Sequence, residues 1–125
     1  MPSRFEEALA AGRPPNITRL FPNSKALIVS GKAIDRAMLA KGNAIAIAAN
    51  GRSYFAIRGA LQAAQRANAA IIVEIAKSEG GASAYCAVNF WNIARHVDAL
   101  CNELGITIPV AIHSDHYGIK GKADL

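Results

Sequence analysis

At 125 residues and 52% hydrophobic, the chain is long enough to bury one core and too apolar to be disordered. Fourteen Lys and Arg against nine Asp and Glu give a net charge of +5, yet the basic residues are scattered singly and aromatics make up only 6%. That pattern argues against a nucleic-acid surface, and no apolar run approaches the roughly 18–20 residues of a membrane span.

Residues 1–23 combine a short helical stretch, Arg4–Ala10, with the turn-rich Gly12-Arg13-Pro14-Pro15-Asn16, where the Pro-Pro pair is expected to exclude helix. Ala26-Leu27-Ile28-Val29 reads as a short strand or a buried extended piece. Ser30 stands at an N-cap position before Ala33-Ile34 and Ala37-Met38, and Gly42 ends that helix. Residues 1–41 thus form an arm and a lead-in helix.

A regular alternation follows. Ala44–Ala49 is a buried strand broken by Asn50-Gly51, and Ile57, Ala60, Leu61 and Ala64 mark one face of a helix over 53–68. Ile71–Ala76 is a second strand, Lys77–Ala82 a polar glycine-containing loop, and 83–89 fits no single element. Phe90, Ile93, Ala94, Val97, Leu100, Cys101 and Leu104 trace a second amphipathic helix that Gly105 stops, with Phe90 and Trp91 as core anchors. Cys86 and Cys101 form no CxxC pair and read as buried or free thiols of a reducing compartment. With no signal-like N-terminus, a cytoplasmic location is expected.

The third strand, Ile108–Ile112, ends abruptly in His113-Ser114-Asp115-His116. Parallel α/β proteins place chemistry at the C-terminal ends of strands. Imidazole and carboxylate together can bind a metal and move a proton. On a continuing strand His113 and Asp115 share a face, so His113 either orients the site or fills space. Strands alternating with helices predict βαβ units and a parallel sheet, apolar on both faces and covered on both. Three strands leave open edges, and a complete barrel of this kind takes about 250 residues. The expectation is therefore the first part of a larger barrel, with a self-contained three-layer domain as the alternative.

Four blocks in order resemble class II, metal-dependent fructose-bisphosphate aldolases and their tagatose-bisphosphate relatives. They are Ala44–Asn50, Ile57–Glu74, Ser78-Glu79-Gly80-Gly81-Ala82-Ser83, and His96–His116. The resemblance implies a (β/α)8 TIM barrel, with residues 42–125 supplying the first three strands and their helices. It implies a divalent metal, most simply Zn2+, and reversible cleavage of a ketose bisphosphate to dihydroxyacetone phosphate and an aldehyde through an enediolate. By position Asp115 is implied as the proton-transfer residue and His116 as a metal ligand, with Asn50 and Ser78 near bound substrate. The expected partners are a phosphorylated sugar and further copies of the chain, with neither nucleic acid nor membrane. The remaining metal ligands are expected on later strands. A second expectation is a non-catalytic barrel fragment or scaffold subunit that assembles with other chains.

Other residues carry two readings each. Gly80-Gly81 can cradle a phosphate or simply shape a loop. Glu74, inside an apolar strand, must find a partner if buried or face the barrel interior. His96 reads as structural, and Lys120 and Lys122 as phosphate anchors or solvated surface.

Overall fold

The computed structural model describes residues 1–125. Three strands, β1 (Ile47–Asn50), β2 (Ile71–Ala76) and β3 (Val110–Asp115), form one parallel sheet in the order β1-β2-β3. Their register pairs Asn50 with Glu74 and Glu74 with His113. Helices α1 (Arg4–Gly12), α2 (Pro15–Leu20) and α3 (Gly31–Lys41) precede the sheet. Helix α4 (Tyr54–Ala67) links β1 to β2, while the single turn α5 (Lys77–Gly80) and α6 (Ile93–Leu104) link β2 to β3. The βαβαβ alternation expected from the periodicity is present, as an open sheet.

Local chemistry explains the boundaries. Ser3 opens α1 with a capping box to Glu6, Ser30 Oγ accepts from Lys32 N at 3.3 Å, and Ser53 Oγ accepts from Ala56 N at 3.2 Å. Gly42 (φ +82°) and Gly105 (φ +64°) end α3 and α6 in backbone conformations that disfavour a side chain. The Pro-Pro pair does not exclude helix: Pro15 is the first residue of α2. At that position the missing N–H is one the helix leaves unpaired anyway, and the fixed φ suits the turn.

The two sheet faces are covered differently. On one, Val73, Ile75 and Val110 pack against Ile57 and Leu61 of α4 and Ile93, Val97 and Leu100 of α6. On the other, Ala111 and Ile72 meet Leu27, Val29 and Ile34, with Phe5, Leu9 and Met38 alongside. Residues 26–29 are all buried, and Ile28 bridges in parallel to Val110, so the arm lines the outer edge of β3. Its approach is fixed by Ser24, whose hydroxyl donates to Asp98 at 2.5 Å and accepts from Asn102 at 2.8 Å on α6.

Burial of every strand does not hold for β1. The strand starts at Ile47, not Ala44; Ile47 is 67% exposed because β1 is an edge strand with a neighbour on one side only, and Ile45, ahead of the strand, is 89% exposed. Nor is Trp91 a core anchor; it is 64% exposed in the turn before α6, where its backbone N–H donates to Asn89 Oδ1 at 3.0 Å. Phe90 does pack against the core, edge-to-face with Tyr117 at 5.1 Å. Both cysteines are free thiols. Burial first, then the Asp98 charge, pushes the Cys101 thiol up to about 12. No helix is long and apolar enough to cross a membrane.

Candidate active site

β3 runs further than its apolar stretch, through His113 and Ser114 to Asp115. The pairing of Glu74 with His113 and of Ala76 with Asp115 continues the ladder into the polar motif, so its side chains are aimed by the strand pleat. His113 and Asp115 share a face, and Glu74 lies beside His113 on the adjacent strand. Ligand atoms of Glu74, His113 and Asp115 all lie within 4.8 Å of one another.

His116 occupies the first position beyond the strand, with a left-handed backbone (φ +49°) that swings its side chain clear of the sheet. Its Nε2 lies 3.8 Å from Asp115 Oδ1, and His113 Nε2 lies 3.9 Å from the same oxygen. Asp115 is therefore flanked by two imidazoles at the C-terminal end of β3. The carboxylate side chain is 35% exposed and His116 is 89% exposed, so both are open to a substrate. A donor set of imidazole nitrogen and carboxylate oxygen suits a divalent transition metal.

The four residues singled out by sequence do not form one cluster. Ser78 and His116 line a common groove of about 1140 Å³, with Lys77, Trp91 and Lys120 also on its wall. Asn50 instead turns to Glu79. Its Nδ2 donates to both carboxylate oxygens, at 3.0 and 3.2 Å, and its Oδ1 accepts from Arg52 N at 3.0 Å. The segment after β3 folds over the groove. Lys77 Nζ reaches Asp124 Oδ1 at 2.5 Å and Gly118 O at 2.8 Å, and sits 5.1 Å from the Tyr117 ring. Lys120 contributes its backbone N–H to Asp124, at 2.8 Å.

Sequence reasoning passed over Glu79, the one buried charged residue. Burial alone raises its pKa, but the Ala76 N–H, the Asn50 amide and Arg52 more than offset this and hold the carboxyl below its ordinary value. Arg52 is its ion-pair partner. The signal was available, since an acid three residues into a helical turn reaches back to the N-cap N–H; the loop reading of 77–82 hid it. A folded pKa below the unfolded one adds stability that is complete above the unfolded value and is lost as pH falls through the folded one. Glu79→Gln is therefore expected to flatten the loss of stability below about pH 4.5, the unfolded value. Urea midpoints measured across acid pH for both proteins check this.

The glycine pair serves packing. Gly81 N–H is already bonded to Lys77 O at 2.9 Å, and a Cβ on Gly81 would lie 2.6 Å from that same oxygen. Gly81→Ala is expected to destabilise the fold by about 1–3 kcal/mol, as overpacking does, measurable by chemical denaturation. His96 is structural, edge-to-face with Tyr54 at 6.0 Å.

The chain is similar to proteins of known family. The family model described as fructose-bisphosphate aldolase class-II matches residues 32–121. A fructose-bisphosphate aldolase of Staphylococcus aureus (strain Mu50 / ATCC 700699) is 43% identical over 56 residues, which cover 45% of this chain and 18% of that protein. One from Staphylococcus epidermidis (strain ATCC 12228 / FDA PCI 1200) is 41% identical over the same extent. The matched stretch thus spans under a fifth of the length of these relatives. No solved structure matches the chain.

Proposed function

Since this chain belongs to the class II fructose-bisphosphate aldolase family, we propose that it carries part of the active site of a metal-dependent aldolase acting on a ketose bisphosphate. The substrate proposed is fructose 1,6-bisphosphate or a close stereoisomer. Residues 42–125 are read as the first three β/α units of a (β/α)8 barrel and 1–41 as its arm and lead-in helix. The observation that carries the reading is Asp115, held at the end of β3 with an imidazole 3.8–3.9 Å away on either side.

A bound divalent metal, proposed as Zn2+, supplies Lewis acidity toward the substrate's carbonyl and hydroxyl oxygens. His116 is the proposed ligand to it, free of any competing hydrogen bond and facing open groove. Asp115 takes the proton of the substrate hydroxyl as the adjacent C–C bond breaks, the bonding electrons remain on the ketose-derived fragment, and the proton transfer reverses for condensation. Ser78 offers a hydroxyl from the groove wall to a phosphate, and Lys120 adds positive charge to that wall, the Lys77 ammonium being paired with Asp124. Asn50 acts from the end of β1, with Glu79 fixing which way its amide points. The proposal includes a cytoplasmic homo-oligomer with no nucleic-acid or membrane partner.

The test is product analysis. The natural protein, supplied with Zn2+ and fructose 1,6-bisphosphate, is expected to release dihydroxyacetone phosphate and an aldehyde phosphate in equal amounts. Failure to cleave any ketose bisphosphate would leave the scaffold reading in its place.

A further inference from the structure

Glu74 is the residue that neither the aldolase resemblance nor the packing accounts for. It interrupts an otherwise apolar strand, Ile71–Ala76, and is half-buried on the sheet face opposite α4 and α6. Its carboxylate accepts no hydrogen bond, and no lysine, arginine or histidine pairs with it. A half-buried carboxylate without a donor is costly. Its neighbours add to the cost. Asp115, on the same face, is a second carboxylate, and the one intervening group is the His113 imidazole. Two acids and one imidazole therefore converge within 4.8 Å, in a chain whose overall charge is +5. Beyond the triad the His116 imidazole approaches, 3.8 Å from Asp115 Oδ1 and not paired with Glu74.

We propose that Glu74, His113 and Asp115 together bind a divalent transition-metal ion on this face of the β2–β3 pair. The set supplies one nitrogen and two oxygens, the mixed donors that zinc, manganese, cobalt and ferrous iron accept. All three ligands come from two neighbouring strands in fixed register, so the site is built by the sheet. It differs from the corner formed by His116, whose ring lies beyond the strand end and outside this triad. Asp115 belongs to both arrangements. Bound through one oxygen, it keeps the second for a proton. The inference rests on the three side chains and not on the aldolase reading.

The 125-residue chain is titrated with Co2+ alone, followed by calorimetry and by the visible absorption of the bound ion. Binding of one ion per chain is expected. Outer-shell changes already weaken metal sites by roughly 10–100-fold, so Glu74→Gln and His113→Ala are each expected to weaken binding by about tenfold or more and to alter the absorption. His96→Ala, on α6 and outside the triad, is expected to leave both unchanged. Far-UV circular dichroism of each variant verifies folding, and Glu74→Gln preserves size and shape if His113→Ala does not fold. Co2+ binding that survives Glu74→Gln but is lost in His116→Ala would overturn the inference while leaving the aldolase reading standing. So would a folded chain that binds no Co2+ at all. Absence of turnover in the natural protein, with the Co2+ site intact, would overturn the aldolase reading alone.

Discussion

Replacing Asp115 with alanine in the natural protein is expected to lower kcat for aldol cleavage by about 10²–10⁴-fold, the usual contribution of a positioned general acid–base group. The fold should be unaffected, since Asp115 closes β3 at its open end and its side chain is one-third exposed. Substrate affinity should change little, because the phosphate contacts are proposed on the groove wall at Ser78 and Lys120. An effect confined to KM would assign Asp115 to binding, and an unchanged kcat would remove it from the chemistry. Steady-state kinetics with a coupled assay separates these outcomes.

The largest effect on stability is expected at the helix–sheet interface. Leu100 is fully buried on α6, within the cluster that joins α4, α6 and the covered face of the sheet. Leu100→Ala removes three carbon atoms from a site whose walls come from three elements and cannot easily collapse, at a cost of about 2–5 kcal/mol. Ile47→Ala provides the contrast. The residue is just as apolar but 67% exposed, and the change should stay within about 0.5 kcal/mol. Urea denaturation of both variants measures the difference. Equal effects would mean that the exposed side of β1 is covered in solution.

How far the sequence foretold this arrangement depended on the signal each residue carried. Ile71–Ala76 was legible because five of its six residues are apolar, and the helices at 54–67 and 93–104 because their apolar positions recur at helical spacing. What periodicity cannot convey is which face finds a cover. Ile47 and Val73 look alike in sequence; one is exposed at an edge and the other is fully buried at the centre. The Pro14-Pro15 pair misled because proline breaks a helix from within yet begins one readily. The site was legible in part. His113-Ser114-Asp115-His116 announced itself as a polar motif ending an apolar run. Its partner Glu74 lies 39 positions before His113 and becomes a neighbour only through strand register. Glu79 was hidden for a similar reason, its partner Asn50 being 29 residues away.

Metal dependence of ketose-bisphosphate cleavage tests the central reading most directly. Initial rates of the natural protein with fructose 1,6-bisphosphate are compared before chelation, after dialysis against a chelator, and after Zn2+ is returned. The account predicts cleavage that disappears with the metal and recovers when it is restored. Cleavage that continues undiminished in the chelated protein would contradict it.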